Sequence, residues 1–388
     1  MMVGIVGGPN KGKSTLFSAL TMIDVPIADY PFTTINPNMG VGYVTTKCAE
    51  VSLGVKCNAR NSRCANGVRM VPINLVDVAG LVEGAHEGKG MGNQFLNDLA
   101  SADALMVVVD ASGKTDPNGN PCGSCNPADD YRIVMDEIAS WVASIITRNS
   151  DKIRRSKDAA EAVASALSFL HATKSDVESC ITKEGLPFSP QSWDATQAKR
   201  FAASVFGLLK PIMIVANKVD AAKPGWRDSL APAAGGRPVV GCSAAIELAL
   251  RKAAKKGLIE YATGERSFKV AKPATQEEEK ALAYMAGAIK SDGTNVQEAL
   301  NSAVFRLLEM IVVYPVEDES KFTDHQGNVL PDAILIRRGS TALDLAAKIH
   351  TDIAKGMLYA VDARTKMRLA KDYVLKDNDV IRIVTAVR

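Results

Sequence analysis

Short, nearly uninterrupted apolar runs recur along the chain, at Val3-Gly4-Ile5-Val6, at residues 104–111 and at Pro211-Ile212-Met213-Ile214-Val215-Ala216. Such runs suit parallel strands covered on both faces. Residues 40–47 and 68–76 also read as strands, and Val239-Val240-Gly241-Cys242 as another. Thr15–Leu20 can begin a helix. The alternation predicts an α/β domain. From about 130 to 206 glycine nearly vanishes, Gly185 being the only one, and alanine, serine and charged residues dominate. Ile133, Ile138, Trp141, Ile145 and Ile146 share a helical face, Ala159–Leu170 continue it, and Gly185-Leu186-Pro187 breaks it. A helical hairpin inserted into the α/β domain is expected there. Residues 246–290 read as helical, and 294–311 as one more amphipathic helix. From about Tyr314 the chain turns to short β runs, Ala333–Ile336 and Val380–Val384, around a helix Ala342–Ile349 opened by Ser340-Thr341. The expected division is 1–129 and 207–312 for the α/β domain, with a helical segment near 247–290. Residues 130–206 form the insertion, and 314–388 a small α+β domain.

Composition narrows the class. With 388 residues, 47% hydrophobic and 23% charged, the chain is that of an ordinary soluble protein of two or three domains. No window approaches 18 uninterrupted apolar residues, so no membrane span or membrane partner is expected. The first residues run straight into a strand without the basic start and cleavage site of a signal peptide, which predicts a cytoplasmic location. The net charge of +3 is too small to argue for nucleic acid by itself. The tail 320–388, with 12 Lys+Arg against 8 Asp+Glu, carries a mild basic excess. Lys152, Arg154, Arg155 and Lys157 make a basic tip on the insertion. Seven cysteines, an odd number, do not form a secreted disulfide framework. Cys122-Gly123-Ser124-Cys125 is a C-x-x-C that could bind zinc, but Cys48, Cys57 and Cys64 match no compact knuckle. Reduced thiols are the expectation.

The chemistry is carried by motifs at strand ends. Gly7-Gly8-Pro9-Asn10-Lys11-Gly12-Lys13-Ser14 reads G-x-x-x-x-G-K-S between a strand and a helix, the context of a phosphate-binding loop. Its backbone N–H groups and the helix N-terminus would cradle phosphates. Lys13 would reach the outer phosphates and Ser14 would bind Mg²⁺. Asn10, Lys11, Gly12, Lys13, Ser14 and Thr15 are candidate nucleotide contacts. The loop Asp29–Pro37 carries Thr33 and Thr34, and a threonine there can donate its hydroxyl to Mg²⁺ only in the triphosphate state, as a switch does. Thr34 is the choice. Asp77-Val78-Ala79-Gly80 is a D-x-x-G in which Asp77 can hold Mg²⁺ and the Gly80 N–H can contact the γ-phosphate. The glycine-rich stretch after it suits a second switch. Asn217-Lys218-Val219-Asp220 is the second strong motif. The Asp220 carboxylate can accept two N–H bonds from a guanine edge, where adenine presents the wrong donors. Asn217 can bond the base, Lys218 can lie along it, and backbone N–H groups at Ser243-Ala244 could contact the guanine oxygen.

These residues together, with Tyr30-Pro31-Phe32 and Gly84-Ala85-His86-Glu87-Gly88, resemble the Obg-related GTPases of the translation-factor class, in particular the archaeal and eukaryotic relatives of YchF. The C-terminal stretch resembles a TGS domain, a ubiquitin-like β-grasp module. The resemblance implies a P-loop NTPase fold of the Ras-like type, GTP hydrolysis to GDP with Mg²⁺, and a ribosome or RNA partner reached through the TGS domain and the basic tip. YchF proper carries an altered base motif ending in Glu and prefers ATP. This chain keeps Asp220, which argues for GTP. Leu81 stands where Ras-like proteins have a water-orienting glutamine, so slow intrinsic turnover is expected. Similarity to potassium-activated GTPases implies that Asn10 holds a K⁺. Lys13, Gly80 and His86 are the candidate catalytic groups, His86 as a water-positioning side chain.

Overall fold

In the computed structural model, residues 1–22, 38–78, 80, 84 and 98–386 are described. The apolar runs become the centre of one sheet: β1 (Met2–Val6), β2 (Met39–Lys47), β3 (Arg63–Ala65), β4 (Val68–Asp77), β5 (Ala104–Asp110), β6 (Ile212–Asn217) and β7 (Val239–Cys242). The strand order is β2-β4-β1-β5-β6-β7, with β3 paired to β4. β1 lies parallel to both β4 and β5, β5 to β6, and β6 to β7. Every residue of β5 and β6 is buried, as two-sided cover requires.

Packing groups the chain into two units. The first comprises 1–19, 38–40 and 74–299, and the second 20–37, 41–73 and 300–388. Residues 41–73, assigned on sequence to the α/β domain, therefore pack with the C-terminal residues.

In the first unit the insertion is more than a plain hairpin. Two long helices, Pro127–Arg148 and Ala195–Leu209, pack together and carry the shorter helices Ser150–Arg155, Ala159–Ala166 and Lys174–Glu184 between them. Side-chain caps open most of these helices. Asp158 caps one, Thr173 and Asp176 form a capping box, Gly185 closes that helix at φ 62°, and Asp194 with Gln197 opens the last. Val134, Ile138, Trp141, Val142 and Ile146 join the sheet residues in one apolar core. The stretch read as helical over 246–290 is two helices, Ala244–Lys255 and Gln276–Ile289, separated by a short ribbon of β8 (Ile259–Glu260) and β9 (Lys269–Val270).

In the second unit the helix expected over 294–311 ends early. The turns over 302–307 are of the wide π type, and β10 (Met310–Val316) starts before Tyr314. β10 is joined by β11 (Ile334–Arg337), β12 (Met357–Asp362), β13 (Arg368–Leu369) and β14 (Val380–Thr385) in the order β11-β10-β14-β12-β13. The helix Ala342–Ile349 falls where expected, opened by a Thr341–Asp344 capping box, and buries Leu345 and Ala346 in this unit's own core. No described helix is long and apolar enough to cross a membrane.

Candidate functional site

The phosphate loop leaves β1 and enters the helix Lys13–Thr21. Two of its glycines are required by close approach. A Cβ on Gly7 would stand 2.5 Å from the Val108 carbonyl oxygen, and one on Gly12, whose φ is +88°, only 2.3 Å from Nδ2 of Asn217. The first N–H groups of the helix, at Lys13, Ser14 and Thr15, have no intrahelical acceptor, the arrangement that suits an anion at a helix start. The Lys13 ammonium curls back to donate to the Gly8 carbonyl at 2.7 Å. Burial lowers its pKa, against the pull of Asp77. Lys11 behaves differently. Its ammonium is fully buried, 2.8 Å from Oδ1 of Asp130, and donates to Thr115 Oγ1 and the Asp116 carbonyl. Its side chain holds the loop from behind, which leaves only its backbone for a nucleotide.

Asp77 ends β4, and its carboxylate lies close enough to the Ser14 hydroxyl and the Lys13 charge for both to favour its ionised form. Burial raises its pKa against those two partners. Gly80 lies next to the same lysine, since a Cβ there would be 3.1 Å from Nζ of Lys13. Four residues on, the Gly84 N–H donates to Oε1 of Glu137 at 2.7 Å. The loop is thus faced by a hydroxyl, a carboxylate and an ammonium. Thr34, Leu81 and His86 lie outside the described residues.

The base motif is tied to the loop. Asn217 Nδ2 donates to the Lys11 carbonyl at 3.0 Å, and its Oδ1 accepts the Ala244 N–H, also at 3.0 Å. Both ends of the amide expected to meet a base are therefore bonded to protein. Lys218, at φ +64°, donates to the Asn10 carbonyl and to Oδ2 of Asp110, each at 2.8 Å. Asp220 is exposed, its N–H bonded to Ser243 Oγ. The Ser243 N–H is given to the Thr294 carbonyl at 2.9 Å. In this structure, then, neither Ser243 nor Ala244 offers a spare backbone donor. Asn10 Nδ2 donates to the Gly119 carbonyl at 2.9 Å, which makes its Oδ1 the acceptor end of the amide.

Sequence reasoning missed the groups behind these motifs. Asp110, at the end of β5, is buried and accepts from Lys218, Ser112 and Thr115. Burial opposes its charge, but those donors outweigh it and hold its pKa below the usual carboxylate value. Its N–H donates to Asp130, whose own pKa burial pushes up despite Lys11. An acid at a strand end is the signal that pointed to Asp77, and it was equally present at Asp110. Tyr284, on the helix Gln276–Ile289, donates its hydroxyl to Oδ2 of Asp220 at 3.3 Å. No sequence signal marks it. Cys242 is fully buried against Asn217, its pKa pushed up to about 12 by burial. Contrary to the expectation of reduced thiols throughout, Cys122 and Cys125 are joined as a disulfide. They sit in the loop that carries Thr115 and Gly119.

Family models match three stretches: a 50S ribosome-binding GTPase over residues 2–149, the G4 motif-containing domain of a YGR210-like Obg-like GTPase over 215–318, and a TGS domain over 326–385. A GTP-binding protein of Methanocaldococcus jannaschii is 45% identical, with 100% of each chain covered. The crystal structure of a GTP-binding protein from Pyrococcus horikoshii matches with a TM-score of 0.75 and 38% identity over 100% of each chain. The ribosome-binding ATPase YchF of Escherichia coli is 27% identical over 98% of each. Motifs, sheet order and full-length similarity agree that this chain belongs to the Obg-like GTPase family, among the YchF-type GTP-binding proteins, and carries a C-terminal TGS domain.

Proposed function

We propose that the chain binds GTP, hydrolyses it slowly to GDP and phosphate with Mg²⁺, and acts as a ribosome- or RNA-associated switch. The observation that carries this reading is the bonding of Asn217 and Lys218 into the phosphate loop, which leaves the Asp220 carboxylate exposed next to it. Two acceptor oxygens in that position match the two N–H groups on a guanine edge. Hydrogen bonds to a charged group are worth about 1.5–3 kcal/mol each, so Asp220 sets the base. Ser14 and Asp77, close to each other, offer the hydroxyl and carboxylate oxygens that Mg²⁺ prefers. Once bound, the ion would neutralise charge on the β- and γ-phosphates. Lys13 and the loop amides would do the same from the protein side. The Gly80 N–H, next to Lys13, would meet the γ-phosphate. Thr34 completes the proposed metal set and His86 the proposed water-positioning group. Asn10, its amide oriented by Gly119, would hold K⁺.

The ribosome partner rests on the names of the family model and of YchF, and the TGS domain and the basic tip are the proposed contacts. The test is binding of GDP and ADP to purified chain in KCl with Mg²⁺. Tight GDP and weak ADP are expected, and equal or tighter ADP would replace this reading with an ATPase like YchF. Turnover should be faster in KCl than in NaCl at equal ionic strength, and equal rates would remove Asn10 from the mechanism.

A further inference from the structure

Cys48, Cys57 and Cys64 look scattered in sequence, but the fold gathers them. Cys48 follows β2 and is held by its N–H to the Gly67 carbonyl at 2.8 Å. Glu50 lies in the short helix Ala49–Leu53, and Cys64 is on β3. The Cys57 N–H donates to Oε2 of Glu50 at 2.9 Å, which folds the intervening turn inward. As a result one ligand atom from each of Cys48, Glu50, Cys57 and Cys64 lies within 4.8 Å of the other three. Sγ of Cys48 and Sγ of Cys57 are 3.9 Å apart, and Sγ of Cys64 is 3.1 Å from Oε1 of Glu50.

The spacing of Cys48 and Cys57 excludes a bond between their sulfurs and matches two ligands of one metal ion. Bonded sulfurs stand about 2.0 Å apart. Two thiolates on a tetrahedral zinc, with bonds of about 2.3 Å, stand about 3.8 Å apart. The surroundings also suit an anionic centre. Three thiolates and a carboxylate around a divalent cation leave a net charge of about −2. Arg69 is fully buried, and its charge acts on both Glu50 and Cys57. One of its nitrogens donates to the Leu330 and Pro331 carbonyls, while Nε and Nη1 have no hydrogen-bond partner among the described residues. A buried cation with spare donors is costly unless negative charge lies near it.

We propose that Cys48, Cys57, Cys64 and Glu50 form a closed four-ligand site for a thiophilic divalent cation, zinc by preference, with a structural role separate from the nucleotide. Soft thiolates select zinc over magnesium or calcium, and a full set of protein ligands marks a structural site. The site would fasten the segment whose Asn58 and Arg60 N–H groups donate to the Val329 and Pro331 carbonyls, both at 2.8 Å.

The experiment is metal analysis of the full chain, purified under reducing conditions without chelator. One zinc per chain is expected, and after exchange Co²⁺ should give the thiolate charge-transfer and d–d bands of a tetrahedral site. Cys57→Ser and Cys64→Ser should each lose the metal, while Cys180→Ser keeps it. If either variant fails to fold, the cobalt spectrum of the unaltered chain decides alone. No retained zinc together with no cobalt charge-transfer band would overturn the proposal. So would full retention in Cys57→Ser, or a peptide map in which two of the three cysteines are bonded to each other.

Discussion

The side-chain amide of Asn217 donates to the main-chain carbonyl of Lys11 across 3.0 Å, which joins the Asn217–Asp220 motif to the loop Gly7–Ser14. Replacing Asn217 by Ala leaves that carbonyl and the Ala244 N–H without their partner. A buried group left unsatisfied costs about 1–3 kcal/mol, so GDP affinity should fall about 5- to 150-fold, as read by calorimetry. An unchanged affinity would mean that the loop is held without it.

Asp220→Asn exchanges an acceptor oxygen for a donor. GDP affinity should fall by about 10-fold or more, from the loss of a charged hydrogen bond, while xanthosine diphosphate binds more tightly than before. Retained guanine preference would remove Asp220 from base recognition. Tyr284→Phe should act in the same direction but more weakly, because Tyr284 touches the carboxylate and not the base position.

Asp130→Asn strands the buried ammonium of Lys11. Breaking a buried pair from one side costs about 3–5 kcal/mol. Urea unfolding should show a lower midpoint at unchanged slope. Restoring the midpoint with a second change, Lys11→Met, would identify the uncompensated charge as the cause, and failure to restore it would place the damage elsewhere.

Asp110 gives the chain a defined acid sensitivity. Its folded pKa lies below the unfolded value, so it stabilises the fold above that value and the contribution is lost as pH falls through the folded one. The wild-type chain and Asp110→Asn should therefore differ in urea midpoint near neutral pH and converge in acid. A gap that persists unchanged at low pH would show that the carboxylate's charge is not what stabilises.

Much of this was legible in the sequence because strand ends carry the chemistry. The apolar runs placed β1, β5 and β6, and the segments Gly7–Ser14 and Asn217–Asp220 that follow β1 and β6 are bonded to each other through Asn217 and Lys218. What stayed hidden was long-range. The Asp110–Asp130 link joins residues from a strand and from the insertion, and Tyr284 reaches Asp220 from 64 positions away. Local spacing does not show that Cys48, Cys57 and Cys64 come together, because the turn that gathers them is held by a side-chain bond to Glu50. The helix expected to run to 311 stops early because Met310–Val316 pairs with β11 and β14. That partner choice is tertiary and overrides a local pattern.

The helix Pro127–Arg148 holds Lys11 of the loop by one residue and the Gly84 N–H by another. Asp130 grips Lys11, and Glu137 grips the Gly84 N–H. The two acids sit about two turns apart on one rod. Lys11 and the Gly84 N–H are thereby tied to one helix, so that neither can shift relative to the other without breaking a bond to it.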